Sequence, residues 1–280
     1  MEIQCQVLRV SRAGFYRWLK RGISKQATTR LALTKEIDLI HKDSRGNYGS
    51  PRVQKALKKK GIHHNHKTVE KIMKENGIRA KRKKKFKVTT DSNHKLPVAE
   101  NVLNRQFQTE ERDKVWVSDI TYVSTEEGWL YLAVFIDLYS RKVLGWSMSS
   151  WINSELVLNA FRMAIAKRGH KVSPLVHSDR GSQYASDLFV DELKLRSCDQ
   201  SMSRKGNCWD NAVAESFFST LKTELIHQEK FKTKNEAEVK IFDYVEIFYN
   251  KQRLHSTLNY MTPEEFETLN QTEEKKQKAA

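Results

Sequence analysis

From Trp129 to Ile136 the chain reads Trp-Leu-Tyr-Leu-Ala-Val-Phe-Ile, a run with no charged side chain, and then comes Asp137. A strand with one face in water alternates apolar and polar residues. A run that is apolar at every position belongs to a strand covered on both faces. The stretch therefore calls for a sheet layered between helices. Its surroundings agree. "VWVSDITYVS" before it is rich in β-branched and aromatic residues, and "KVLGWSMSS" after it reads as a third strand. Only "LYSR" separates the second from the third, so those two form a hairpin. A helix "SELVLNAFRMAIAKRG" follows, capped by Asn153 or Ser154 and closed by Gly169. Then come the strand "SPLVH", the helix "SDLFVDELKLR", a short strand in "SCDQSMS", and two long helices, "NAVAESFFSTLKTELI" and "KNEAEVKIFDYVEIFYN". A three-strand meander followed by alternating helices and strands predicts an α/β domain over 114–280.

The chain before it is different in kind. Residues 1–90 hold 25 lysines and arginines against 6 acids, whereas residues 91–280 hold 25 against 28. All the excess positive charge sits in the first third, which points to a polyanionic partner, most simply nucleic acid. "VSRAGFYRWLKRG" reads as a short helix capped by Ser11, and "TRLALTKEIDLIHKD" as an amphipathic one. In "YGSPRVQKALKKKGIHHNHKTVEKIMKENGI", Ser50 is a possible cap and Pro51 suits a first turn. Gly61 breaks that helix, and Val69, Ile72 and Met73 turn inward on the next. Helix, short turn and helix with a basic face is a helix-turn-helix pattern. Arg52, Lys67, Lys71 and Lys74 are its candidate DNA contacts. The block "RAKRKKKFKV" adds Arg79, Lys81, Arg82, Lys83, Lys84 and Lys85, able to neutralise phosphates. The division expected is a basic helical DNA-binding region over 1–90, a polar linker over 91–113, and the α/β domain over 114–280. His63, His64 and His66 lack the paired cysteines of a zinc finger and read as loop residues. Cys5, Cys198 and Cys208 are odd in number and scattered, which fits a reducing cytosol better than a disulfide framework. No run of 18 apolar residues exists to cross a membrane.

Three acids stand where water is scarce. Asp119 interrupts an apolar strand, and Asp179 follows the end of another. Glu215 lies beside the apolar stripe of its helix, at the edge of the core, with Asn211 and Lys222 near the same face. Singly, each has an ordinary reading as an ion-pair partner, a helix cap or a surface acid. Together, with no matching buried cations, they suggest a divalent metal held by oxygen ligands. Two such ions can clamp the attacking and leaving oxygens of a phosphodiester displacement.

"WVSDITYV", "VFIDLYSRKVLGW", "HSDRGSQY" and "NAVAESFFSTLKTE" resemble the D-D-E core of insertion-sequence transposases. More narrowly, the chain resembles the downstream-frame (OrfB) protein of the IS three family, related to retroviral integrases. Asp179 and Glu215 have 35 residues between them and Lys222 stands seven after Glu215, as in that family. "YNKQRLHSTLNYMTPEEF" resembles the family's ending. The resemblance implies an RNase H-like mixed sheet with flanking helices, preceded by a small all-α helix-turn-helix region. It implies Asp119, Asp179 and Glu215 as catalytic metal ligands for Mg²⁺ or Mn²⁺, two ions per site. Cleavage at the element ends would free a 3′-OH that attacks a second phosphodiester, with no ATP. Double-stranded DNA, as terminal inverted repeats and target, is the implied partner; read residue by residue, Lys222, Arg180, Gln183, Tyr184, Asn211 and Arg253 are candidate DNA contacts near the site. For Tyr184 and Arg253 packing is the competing reading, and for Asn211 capping. Pairing two ends implies a homodimer or larger synaptic complex. The start "MEIQCQVLRVSRAGFYRW" looks like the tail of a recognition module, which fits fusion to an upstream-frame (OrfA) protein. The expected place of action is the bacterial cytoplasm, on the nucleoid. A nuclease of the same fold that never joins ends, and a DNA-binding regulator with an inactive core, are the rival readings.

Overall fold

The computed structural model describes residues 2–81 and 96–279. Arg82, Lys83, Lys84 and Lys85 lie outside them. The chain divides into two units, Met1–Ala80 and Lys81–Ala280.

The first unit is helical: α1 (Glu2–Val7), α2 (Arg12–Leu19), α3 (Lys25–Asp43), α4 (Ser50–Lys59) and α5 (His66–Glu75). Leu33, Ile37 and Ile40 recur at helical spacing on α3 and are buried with Val53 and Leu57 of α4 and Val69, Ile72 and Met73 of α5. Asn65 caps α5 by accepting the Lys67 amide at 2.9 Å. Ser50 is not the cap of α4. Gly49 holds that position, and the Ser50 hydroxyl instead meets His66 Nε2 at 3.0 Å, tying the starts of α4 and α5 together. Lys67, Lys71, Lys74 and Arg79 are exposed, while Arg52 is half-buried with its guanidinium over the Tyr48 ring.

The second unit is a five-stranded sheet in the order β3-β2-β1-β4-β5. The strands are β1 (Val115–Thr125), β2 (Gly128–Asp137), β3 (Val143–Ser149), β4 (Leu175–Ser178) and β5 (Gln200–Met202). β1, β2 and β3 are antiparallel neighbours, and β4 and β5 run parallel to β1. This is the RNase H-like mixed sheet. The apolar run of β2 now has its reason. Leu130, Leu132, Val134 and Ile136 face a core built with α8 (Ala212–Glu224) and α9 (Lys234–Phe242). Ala133 and Phe135 face a second core built with α6 (Ser154–Arg168) and α7 (Asp187–Leu195). Asn153 is the cap of α6, accepting the Leu156 amide. Where α6 crosses β3, a Cβ on Gly145 would lie 2.0 Å from the Ala160 carbonyl oxygen, so only glycine permits that approach.

Asp137 builds the β2–β3 turn. Its carboxylate accepts the Ser140 hydroxyl at 2.8 Å and the Asp113 amide at 3.2 Å. Beyond α9 the chain continues through a π-helical turn, Asp243–Tyr249, and ends in α10 (Pro263–Ala279). The segment between them is locked in. Asn250 exchanges two hydrogen bonds with the Val143 backbone, both 3.0 Å.

Residues 96–113 are no free tether; they pack as an arm on the sheet's edge. Met202 N–H donates to the Glu100 carbonyl, Leu103 is buried in the core, and Arg141 holds the Phe107 carbonyl.

Candidate active site

Strand register brings two of the acids together. β1 and β4 are parallel, with Val117 opposite His177. Asp119, on β1, and Asp179, directly after the end of β4, are each two residues further along, which directs both to the side of the sheet that this pair faces, where neighbouring strands run about 4.8 Å apart. α8 covers that side. Its start is fixed by Asn211, whose side-chain amide donates to the Ser118 carbonyl at 2.9 Å. Glu215 follows one turn later, in the first turn of α8.

The three carboxylates feel one another. Burial drives the Asp119 carboxyl well above the usual carboxylate range, and the charges of Asp179 and Glu215 push it further. The Ile120 amide, donating to Asp119 Oδ1 at 2.8 Å, and the Lys222 ammonium pull the other way. Glu215 is raised too, by desolvation and then by Asp179. Lys222 is lowered by its burial, with Asp119 opposing, and its ammonium lies 5.1 Å from the Tyr122 ring centroid. Glu215 itself is exposed, not at the core edge. The buried face of α8 is taken by Ala214, Phe217, Phe218 and Leu221, which turns Glu215 outward. Among the described residues, no three His, Cys, Asp or Glu side chains stand close enough together to hold a metal ion as they are placed. What the structure offers is an all-oxygen donor set, crowded enough for mutual repulsion and open on the Glu215 side. Such a set fits a hard divalent cation.

Asp179 is held by a local turn. Its Oδ1 accepts the Gly181 amide at 2.9 Å. A Cβ on Gly181 would sit 3.0 Å from that oxygen and 2.9 Å from Gln183 Oε1, so the glycine keeps the carboxylate's space clear. Below the acids, the Tyr184 hydroxyl and Ser118 Oγ meet at 2.8 Å. Tyr184 is fully buried, packed edge-on against Phe189. Of its two sequence readings, DNA contact and packing, complete burial favours packing. Arg253 is corrected in the same way. It is buried in a bidentate pair with Glu224, with the Tyr244 hydroxyl completing the set at 2.8 Å. Asn211 is also buried and anchors α8 to β1 rather than facing solvent. Arg180 and Gln183 stay half-exposed beside Asp179, Arg180 donating to the Ser203 carbonyl. The Lys81 ammonium donates to the Glu224 carbonyl at 2.8 Å.

Sequence reading missed Asp210. Its fully buried carboxylate binds Arg204 twice, Arg105 and Asn101, all within 2.9 Å, and these partners hold it well below the usual range. This knot pins the arm and the loop before α8, and leaves Trp209 exposed next to it. The run Trp-Asp-Asn was the available signal, but the partners Asn101 and Arg105 lie about a hundred residues away.

His177 bridges Ser201 (2.8 Å) and Ser203 (3.3 Å), fully buried. Burial lowers its pKa to about 4. The unfolded chain takes up a proton near pH 6.5 and the folded protein does not, so this group alone withdraws roughly 3 kcal/mol of stability as pH falls from there towards 4. The expected observation is a His177 ring resonance that stays put between pH 7 and 5. Movement across that range would show the ring protonating in place.

A five-stranded mixed sheet in the order β3-β2-β1-β4-β5, with helices packed on both faces, is the architecture of an integrase-type core. Residues 109–208 and 215–271 each match an integrase core domain, and residues 29–86 match an HTH-like domain. Transposase InsF for insertion sequence IS3A of Escherichia coli (strain K12) is 40% identical over 274 residues, 96% of this chain and 94% of that one. The IS600 uncharacterized 31 kDa protein of Shigella sonnei is 42% identical over 264 residues, covering 94% and 96%. The chain belongs to the IS3 family of insertion-sequence transposases. Among solved structures, a simian T-cell lymphotropic virus intasome aligns over 81% of this chain and 72% of its own, at TM-score 0.46 and 18% identity. The HTLV-2 integrase catalytic core in complex with magnesium aligns over 55% and 95%, at TM-score 0.41 and 17% identity.

Proposed function

We propose that this transposase cuts and joins DNA with Asp119, Asp179 and Glu215 as its metal-ligating catalytic acids. The observation that carries this is the register of β1 and β4, which sets Asp119 and Asp179 side by side under α8, where Glu215 stands close enough for the three charges to interact. Divalent ions bound there, Mg²⁺ or Mn²⁺ and two per site, would supply charge for the attacking and leaving oxygens of a phosphodiester. The protein's own part is positional. Asp119 sits within β1 and Asp179 directly after β4, in a sheet that packing on both faces makes rigid. Glu215 lies on the exposed side and closes over the substrate. Lys222, beside Asp119, meets a phosphate oxygen and steadies the strand to be cut.

The substrate is duplex DNA: terminal inverted repeats first, then target. The basic helices of residues 1–90, with Arg52, Lys67, Lys71, Lys74 and Arg79, bind the ends. Residues 96–113, the described part of the segment read as a linker, serve as an arm of the catalytic unit. Two ends must meet, so the working form is a homodimer or larger synaptic complex, with an upstream-frame protein as a further partner or fusion. Among the described residues no helix is long and apolar enough to cross a membrane.

The test is a strand-transfer assay on duplexes carrying the element's ends. Joined products are expected with Mg²⁺ and not with EDTA. Hydrolysed ends that never join would make the protein a nuclease, and joining in EDTA would remove the metal from the reading.

A further inference from the structure

The HTH-like match covers residues 29–86 and leaves the first 28 unassigned. They carry a second two-helix unit. α1 ends at Val7 and α2 begins at Arg12, so four residues join them. Two helices joined by a turn of three or four residues is helix-turn-helix geometry. The turn is built for the purpose. Arg9 takes a left-handed conformation, φ 53°, reversing the chain. The Val10 amide returns to the Cys5 carbonyl at 3.0 Å, and the Cys5 side chain is buried. Ser11 caps α2 by accepting the Gly14 amide at 3.0 Å. A Cβ on Gly14 would lie 2.8 Å from that hydroxyl oxygen, so glycine keeps the cap open.

α2 is fixed at its start and presented along its length. None of its residues is buried, and Tyr16, Trp18 and Leu19 are 46%, 67% and 55% exposed. An eight-residue helix does not persist in water on its own account, so the turn and cap hold it.

Charge selects the occupant. From Ile3 to Lys35 there are eight arginines and lysines and no acid. Arg12 and Arg17 lie on α2 and Lys20 and Arg21 directly after it, with Arg12, Arg17, Lys20 and Arg21 all exposed. Protein-binding surfaces mix signs; a single-sign surface set with aromatics matches a polyanion. We propose that residues 2–21 form a second, separate reader of duplex DNA. α2 enters the major groove, and Arg12, Arg17 and Lys20 contact phosphates and base edges beside α4–α5, which read their own segment. The proposal rests on the reading of the chain as a DNA transposase, and its test separates the two.

The full chain is used to select from a randomised duplex library. The wild type should enrich two spaced motifs. R12A/R17A/K20A should lose one, and K67A/K71A/K74A the other. On one fixed duplex, the slope of log affinity against log salt should fall by about 2 to 3 for the α2 variant, at roughly 0.9 for each phosphate no longer neutralised. R12K/R17K should recover the slope without recovering the motif, because lysine keeps the charge but not the forked donor geometry. The substituted side chains are exposed, so the variants fold, and melting temperature checks it. If the α2 variant keeps both motifs and the full slope, the proposal is wrong. That includes the case in which only subunit number changes, which would assign α2 to a protein partner. If neither triple variant alters DNA binding, the DNA reading itself falls.

Discussion

Asp119→Asn should abolish cleavage and strand transfer while leaving the metal-free protein at least as stable as the wild type. The two effects have one origin. Asp119 is a desolvated carboxylate beside two others, and its pKa is raised by burial and by their charges. A carboxyl with a raised folded-state pKa costs stability once pH passes its unfolded value, because the unfolded chain ionises first. Stability therefore falls as pH climbs from near 4 through the folded value. The amide removes that slope, and its oxygen still accepts the Ile120 amide. Melting curves in EDTA from pH 4 to 8 should show the variant level with the wild type at the acid end and above it at neutral pH. Activity should fall on the order of 10³-fold or more, since one ligand supports several kcal/mol of transition-state stabilisation. Binding of end duplexes should be retained. The stabilisation that Mg²⁺ gives the wild type should shrink in the variant. Near-normal strand transfer by Asp119→Asn would end the assignment.

The second large effect is on folding. Arg253→Ala should cost about 3–5 kcal/mol, the usual penalty for orphaning a buried charge. Arg253 and Glu224 are both buried, with Nη2 to Oε1 at 2.8 Å and Nε to Oε2 at 2.9 Å. Removing the guanidinium strands the Glu224 carboxylate between Tyr244 and the end of α8. In a unit of this size that is a fall of roughly 10 °C in melting temperature. Pairing Arg253→Met with Glu224→Gln should restore much of the loss, because the cost lies in the unpaired charge rather than in the missing bond. Had Arg253 been a surface contact to DNA, its removal would weaken binding steeply with salt and leave the melting curve unmoved. Denaturant unfolding and salt-dependent binding on the same variant separate the two readings.

Much of this protein was legible along the chain. The apolar run at Trp129 gave a doubly covered strand, the turn at "LYSR" gave a hairpin, and the basic first third stood apart from the rest. Each is a local matter of period, cap or charge, and neighbours in sequence suffice to specify it. Glu215 shows the limit of that logic. Its helix was clear, but whether it faced core or solvent depended on where Phe217, Phe218 and Leu221 found their partners. Tyr184, Arg253 and Asp210 show it more sharply. An arginine or tyrosine in a polar stretch looks the same whether it meets DNA or a buried carboxylate tens of residues away.

The sequence by itself determined the elements, the two-part charge distribution and the three acids worth watching. The tertiary structure alone decided that β4 lies parallel beside β1 with Val117 opposite His177, and so that Asp119 and Asp179 become neighbours. That choice is made by pairing and burial between segments far apart along the chain, where a slip of one position would turn one carboxylate to the opposite face of the sheet.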